Sequence, residues 1–381
     1  MITELDSVKG LDDSAIMRQV LDLASKGANT TKPNPMVACI IVNDGEIVAQ
    51  AFHQTAGELH AERLALEIAG ERARGATAYV NLEPCCHQGR TPPCTDALIN
   101  AGVSKVVVAM HDPNPLVEGG GFEQLTRAGI EVESGVLEEQ ARWLNRGFVK
   151  RMRKSQPWIV LKSAATLDGR TADLDGQSKW ITGSDARENV QTIRAKSSAV
   201  ITGIGTVLAD DPNLNVRLEG CEPQPFRVVL DSRLQTPLDA RIIGSDEKLM
   251  IFTLSKDADK VSALIELGVE VIQQTDDGSG RLNLANVLLE LAKWECNEVL
   301  VEAGQTVSGA FIEAGLVDEL VLYYAGSLLG DRGKSMFEFK QAIAFENRAE
   351  YQVQDVTMVG SDVRVMALNP KSVETLSAVN D

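Results

Sequence analysis

Pro84-Cys85-Cys86-His87-Gln88-Gly89-Arg90-Thr91-Pro92-Pro93-Cys94, preceded by His60-Ala61-Glu62, is the stretch on which the reading of this chain turns. Hydrolytic loss of an amino group from a heteroaromatic ring needs a nucleophile at neutral pH and a group that moves protons. Zinc deaminases hold the metal with one histidine and two cysteines and leave the fourth tetrahedral position to water. The ion lowers the pKa of that water to about 7. A glutamate two residues after the histidine takes the proton, passes it to a ring nitrogen and then helps the amine leave. In this pattern His60, Cys85 and Cys94 are the candidate zinc ligands and Glu62 the candidate catalytic acid–base.

The local context agrees. His60 opens a predicted helix over 60–72, with Leu64, Ala65, Ile68 and Ala69 on its apolar face. Cys85 follows a predicted strand at 78–82 and stands directly after Pro84, which suits the first turn of another helix, where a thiolate is favoured. A lone His-x-Glu or a lone loop cysteine is commonplace; the order and combination carry the weight. Cys86 is a rival ligand, but adjacent cysteines point in different directions, so it is expected to be a small buried residue. The common deaminase signature has two residues between its cysteines. Here eight separate Cys85 from Cys94.

The bulk properties narrow the class. The chain of 381 residues suits two domains. Lys and Arg number 37 against 54 Asp and Glu, a formal charge of −17, which disfavours a nucleic-acid partner but not a small phosphorylated ligand bound by a few arginines. No apolar stretch reaches the length of a membrane span, and the polar N-terminus does not read as a signal peptide, so a cytoplasmic enzyme is expected. The six cysteines, Cys39, Cys85, Cys86, Cys94, Cys221 and Cys296, are then thiols or metal ligands.

Outward from the signature, the first half reads as alternating strands and helices. A helix is expected at 13–28, a hairpin at 37–52 around Asn43-Asp44-Gly45, a helix at 95–101 and a strand at 105–110. A basic helix is expected at 137–154, its arginines and lysines forming a solvated face; it stops before Pro157, where the domain boundary is set. The second half reads as another α/β pattern, with strands at 158–162, 199–202, 226–230, 249–253, 269–272, 299–302 and 319–324, and helices at 184–196 and 284–295. Residues after Asn369 read as a loose tail. Two glycine loops, Thr202-Gly203-Ile204-Gly205-Thr206 and Val301-Glu302-Ala303-Gly304-Gln305-Thr306, each follow a strand and offer backbone N–H groups to an anion, as a nucleotide cofactor requires.

The loop from Cys85 to Cys94, stiffened by Thr91-Pro92-Pro93, closely resembles the bifunctional riboflavin-biosynthesis deaminase–reductase family, as do Lys32-Pro33-Asn34-Pro35, His53 and Asp112-Pro113-Asn114-Pro115. The family often has serine at the position of Cys86 and usually glycine at that of Ala38. In the second half Lys162, Leu167-Asp168-Gly169-Arg170, Ser178-Lys179-Trp180-Ile181-Thr182, the run 205–212 and Glu302-Ala303-Gly304 resemble the family's reductase domain. The family commonly has proline where Gly326 stands. The likeness spans roughly residues 13 to 368.

The resemblance implies an α/β protein: a cytidine-deaminase-like α/β/α layered sheet in residues 1–154, then a dihydrofolate-reductase-like α/β domain in 157–369, with 370–381 as a flexible tail. It implies zinc and NADPH as cofactors. By position, Asn34, His53, His87 and Arg90 would line the deaminase substrate pocket. Ala164, Trp180, Thr206, Asp210, Ser232, Gly304, Gln305, Thr306, Val307, Ser308, Gly309 and Ala310 would contact NADPH. Ser178, Arg194, Leu214, Arg217 and Glu302 would contact the reductase substrate, both arginines suiting a 5′-phosphate, and Lys162 would protonate or polarise the sugar.

The implied sequence is deamination of 2,5-diamino-6-(5-phosphoribosylamino)pyrimidin-4(3H)-one, then hydride transfer from NADPH to C1′ of the ribose, opening it to a ribityl chain. A homo-oligomer is expected. One rival is a nucleoside or tRNA deaminase with an appended non-reductase domain. Another is a structural zinc staple, which would need a fourth protein ligand and would have no use for Glu62.

Overall fold

The computed structural model describes residues 7–88, 92–115, 117–219, 221–244, 248–276 and 278–377. The chain divides into two compact units, Met1–Lys154 with Leu376–Asp381, and Ser155–Thr375.

The first unit runs α1 (Asp13–Ser25), β1 (Ala38–Asn43), β2 (Glu46–Phe52), α2 (Ala61–Ala69), β3 (Thr77–Leu82), α3 (Cys94–Ala101), β4 (Lys105–Met110), α4 (Gly120–Arg127), β5 (Glu131–Ser134), α5 (Glu138–Leu144) and α6 (Arg146–Lys154). Its strands form one sheet in the order β2-β1-β3-β4-β5. β1 is antiparallel to β2 and β3, whereas β3, β4 and β5 run parallel. The hairpin forms at Asp44 and Gly45, both with positive φ (52° and 78°), the geometry that a tight two-residue turn demands. β3 and β4 are buried along all but their first residue because helices cover both faces of a parallel sheet. The buried side of α2 is built from Ala61, Ala65 and Ala69. Such small side chains let the helix axis lie close to the sheet, holding the residue at its start, His60, near the strand ends.

The expected basic helix is two helices, broken at Asn145 (φ −103°, ψ 24°). Nor is its basic face simply solvated. Arg142 is only 6 % exposed and pairs with Glu138, and Arg146, Lys150, Arg151 and Arg153 are half-buried. Their long apolar stems cover core surface while carrying charge.

The second unit contains β6 (Trp158–Thr166), β7 (Arg170–Ala172), α7 (Ser184–Lys196), β8 (Ala199–Gly203), α8 (Ile204–Asp210), β9 (Phe226–Leu230), β10 (Leu249–Thr253), α9 (Ala258–Glu266), β11 (Glu270–Gln273), α10 (Leu284–Lys293), β12 (Glu298–Val301), α11 (Gln305–Glu313), β13 (Glu319–Ala325), β14 (Lys334–Ser335), β15 (Gln352–Val359), β16 (Asp362–Leu368) and α12 (Pro370–Ser377). Its main sheet has nine strands, ordered β11-β10-β9-β8-β12-β6-β13-β16-β15. The seven from β11 to β13 are parallel, and the β15–β16 hairpin closes one edge antiparallel. The carboxyl ends of β6, β8, β9 and β12 therefore lie on one side, where open parallel sheets bind ligands.

The expected loose tail is helical over Pro370–Ser377. Asn369 Oδ1 accepts from Lys371 N, Ser372 Oγ donates to Asp318 at 2.6 Å, and Leu376 is buried. Cap, first-turn proline and one anchored apolar residue together order the segment.

Candidate active sites

In the first unit the ligand atoms of His60, Cys85 and Cys94 lie within 4.8 Å of one another. His60 Nδ1 is 3.6 Å from Cys85 Sγ and 3.3 Å from Cys94 Sγ. His60 is the N-cap of α2, with extended backbone (φ −70°, ψ 158°), so its ring turns back over the helix start. Cys85 does not take the place at a helix start expected of it. Cys94, not Cys85, begins a helix, α3, while Cys85 sits in the extended segment after β3. The spacing of eight residues between them allows this. The Cys94 N–H donates to Cys85 Sγ at 3.4 Å, fixing the pair. The Cys85 thiol is held down, to about 4, by the Cys94 thiol first and then by His60, and the same bond pushes Cys94 up. Cys86 stands outside the cluster. It is partly exposed rather than buried, its sulfur against Gly120.

Glu62 is 3 % exposed, and its Oε2 has no hydrogen-bond partner among the described residues. Burial first, then the Cys85 sulfur, raises it above the usual carboxylate range. An orphaned buried carboxylate oxygen costs stability unless a ligand satisfies it. Three borderline-soft donors beside it fit zinc with one open coordination position and a proton carrier at hand, and do not fit a closed structural site.

Asn34 and His53 are brought together. Asn34 Nδ2 lies 3.0 Å from His53 Nε2, and His53 Nδ1 is 3.1 Å from the Leu59 carbonyl. Nδ1–H donating to that carbonyl leaves Nε2 to accept from the Asn34 amide. Burial lowers His53 below the usual imidazole range, so the ring is neutral, and it packs edge-on against His60 with centroids 5.5 Å apart. His87 is exposed on the loop between the ligand cysteines. Arg90 lies outside the described residues. Sequence reading overlooked Glu83, fully buried, whose carboxylate accepts from the N–H groups of Asp112, Gly119, Gly121 and Phe122 and so ties the 112–122 segment to the end of β3. A glutamate closing an apolar strand was the available signal.

In the second unit a cleft of about 2350 Å³ opens at the strand carboxyl ends. That exceeds the space a single drug-sized ligand needs, and suits a dinucleotide with a second molecule. Lys162 and Ala164 face it from β6. Ser178, Trp180, Thr206, Asp210, Leu214, Arg217 and Ser232 line it, with Arg194, Glu302, Gly304, Gln305, Thr306, Val307 and Ala310. Ser308 and Gly309 do not. Ser308 is buried and donates to the Ala303 carbonyl, and a Cβ on Gly309 would meet the Glu338 carbonyl oxygen at 2.0 Å. Helical periodicity turns those two positions of α11 away from its open side. At Gly203 a Cβ would meet Val307 at 2.8 Å, so glycine there lets α11 approach the end of β8.

Glu302 follows β12 at the floor of the cleft. Arg194 grips its two oxygens through Nε at 2.5 Å and Nη2 at 3.0 Å, and Nη1 donates to the Asn215 carbonyl. Lys162 Nζ is 3.8 Å from Glu302 Oε2. Burial alone would raise Glu302; Arg194, then Lys162, bring it below the usual range instead. Burial lowers Lys162, with Glu302 opposing it. Arg194 thus spends three nitrogens on the protein and orders the acid, and Arg217 is exposed on the cleft wall, its charge also felt by Glu302. Trp180 is 71 % exposed, with the Arg187 guanidinium 4.5 Å from its ring centroid, and Asp210 pairs with Lys179 at 3.2 Å.

Comparison with known proteins follows the same division. A family model described as the cytidine and deoxycytidylate deaminase zinc-binding region matches residues 11–110, and one described as the RibD C-terminal domain matches 157–365. The riboflavin biosynthesis protein RibD of Haemophilus influenzae is 43 % identical over 373 residues, covering 95 % of this chain and 98 % of the relative. Among solved structures, Acinetobacter baumannii RibD (form 1) shares 46 % identity with a TM-score of 0.87, over 93 % of this chain and 98 % of that one. A diaminohydroxyphosphoribosylaminopyrimidine deaminase/5-amino-6-(5-phosphoribosylamino)uracil reductase from Thermotoga maritima shares 35 %, with a TM-score of 0.83, over 94 % and 98 %. The rival with a non-reductase second domain falls with the match over 157–365. Zinc chemistry in one unit and NADPH-dependent reduction in the other make this chain a member of the RibD family, the bifunctional deaminase–reductases of riboflavin biosynthesis.

Proposed function

We propose that residues 1–154 deaminate 2,5-diamino-6-(5-phosphoribosylamino)pyrimidin-4(3H)-one and that residues 157–369 reduce the ribosyl group of the product. The observation that carries this reading is the buried, unpartnered Glu62 Oε2 beside His60, Cys85 and Cys94. Zinc, when bound by those three side chains, activates water, and NADPH in the second cleft supplies the reducing equivalents. Glu62 takes a proton at Oε2 and returns it to the ring nitrogen and the departing amine. The raised affinity of Glu62 for a proton suits both directions of transfer. Asn34, fixed against neutral His53, and His87 and Arg90 on the loop orient the pyrimidine.

In the reductase unit Glu302, held ionised by Arg194, keeps Lys162 in place, and Lys162 gives a proton to the opening sugar as C1′ is reduced. Arg217 meets the 5′-phosphate, with Ser178 and Leu214 beside it. Ala164, Trp180, Thr206, Asp210, Ser232, Gly304, Gln305, Thr306, Val307 and Ala310 hold the dinucleotide, its phosphates at the start of α11. Ser308 and Gly309 support that helix from behind.

Metal removal tests the division of labour. Chelation of the full-length enzyme is expected to abolish ammonia release from the diaminopyrimidine phosphate and to leave NADPH oxidation on the deaminated intermediate unchanged. Parallel loss of both activities would sink it.

We further propose a homo-oligomer and a cytoplasmic location. None of the six cysteines forms a disulfide, as a reducing compartment allows, and no helix among the described residues is long and apolar enough to cross a membrane. The edge strand β15 presents Val353, Val356 and Met358, 61 %, 62 % and 61 % exposed, a surface that invites a second copy. Sedimentation of Val356→Lys should show a smaller species than wild type; an unchanged mass would remove β15 from the interface.

A further inference from the structure

The deaminase unit contains a clamp on the backbone around Met36 that none of the roles above employs. Met36 lies between the Lys32-Pro33-Asn34-Pro35 segment and β1. The Met36 N–H donates to Asn145 Oδ1 at 2.8 Å, and the Met36 carbonyl accepts from Asn145 Nδ2 at 3.0 Å. From another direction Asn81 Nδ2 donates to the same carbonyl at 2.8 Å, while Asn81 Oδ1 accepts from the Ala38 N–H at 2.8 Å. Both amides are buried, Asn81 at 0 % and Asn145 at 2 % exposure. Each side chain acts as a strand partner would, donating and accepting together, where the β1–β3 ladder has ended at Cys39↔Val80.

Four hydrogen bonds on so short a stretch exceed what joining a loop to a strand needs. Asn145 also forgoes helical continuity, because it stands at the break between α5 and α6. Its backbone still serves both helices, with its N–H donating to Ala141 and its carbonyl accepting from Val149. Its side chain is thereby free to reach 109 residues back along the chain.

The clamped Met36 is two residues from Asn34. Pro35 between them has a fixed φ and restricts Asn34 to extended backbone, so little freedom is left between clamp and side chain. Asn34 in turn meets His53 Nε2 at 3.0 Å, and the His53 N–H is tied to the Val37 carbonyl at 2.8 Å, one residue beyond the clamp. We infer that Asn81 and Asn145 are positioning residues of the deaminase, setting the direction of Asn34 toward the pyrimidine by fixing the backbone around Met36. This rests on the reading of Asn34 as a substrate contact.

The test uses the zinc-loaded full-length enzyme with the diaminopyrimidine phosphate, following ammonia release. Asn145→Asp and Asn81→Asp keep the volume but set a carboxylate oxygen against the Met36 carbonyl. Each is expected to lower kcat/KM for deamination about tenfold, since small misplacements of a positioning group cost this order. Zinc content and NADPH-dependent reduction should stay at wild-type level. The deciding measurement is the double mutant. In an Asn34→Ala background the same substitutions should have almost no further effect, because residues acting through one side chain are not additive.

An undiminished effect in that background overturns the inference, as does loss of zinc from both Asp variants, which would make the clamp a support of the metal site instead. Should Asn145→Asp fail to fold, Asn81→Asp, which faces the same Met36 carbonyl, carries the same prediction. Asn34→Ala with wild-type deamination would be a separate result, removing the substrate role of Asn34 on which the inference stands.

Discussion

Glu62→Gln is expected to lower ammonia release by about three orders of magnitude, within the range that a positioned general acid–base supplies, while the enzyme keeps its zinc. The glutamine is nearly isosteric, and Glu62 is not among the three clustered donors, so the metal site should survive. What the substitution removes is the proton acceptor. The Oε2 atom is buried with no protein partner, so no neighbouring group among the described residues stands ready to take over. Folding stability should not fall and could rise slightly, because a buried carboxylate is replaced by a neutral amide. Metal analysis with an ammonia assay checks both halves. A Glu62→Gln enzyme that deaminates at an appreciable fraction of the wild-type rate would return the cluster to a structural role.

Lys162→Met is expected to have the complementary effect, lowering reduction by about two to four orders of magnitude and leaving ammonia release intact. Methionine retains the apolar stem within β6, so the sheet should not be disturbed. The loss falls on the amine, 3.8 Å from Glu302 Oε2 and facing the cleft. Glu302 would keep its bidentate partner Arg194 and stay ionised, which separates loss of the proton donor from collapse of the floor. NADPH oxidation on the deaminated intermediate, with NADPH binding followed separately, checks it. Binding lost together with turnover would place Lys162 in cofactor binding and not in proton transfer.

Several features were legible in the sequence because their causes are local. The hairpin at Asp44-Gly45 follows from residues that tolerate positive φ. The strands at 105–110 and 226–230 fall on short runs dominated by apolar residues, Val106 to Met110 and Val228 to Leu230, that demand burial on both faces. The β15–β16 hairpin was not legible. β15 lies at a sheet edge and is exposed along most of its length, so it lacks the buried period that marks a strand. The helical order of 370–377 was hidden for a related reason: its anchor, Asp318, is 54 residues away.

What the sequence determined by itself is the set of residue types on which the proposed chemistry rests: His60, Glu62, Cys85 and Cys94 stand in the order that a water-activating metal site with an acid beside it would use. The long spacing between the cysteines was enough to separate this family from other zinc deaminases. Tertiary structure alone decided which cysteine begins a helix, which side of α11 faces the cleft, and that Arg194 grips Glu302, 108 residues distant, before it can meet a phosphate. The physical reason is range. Residue chemistry and turn preferences act over a few positions, whereas the partners of buried charges and amides are chosen by packing between segments that the linear pattern does not connect.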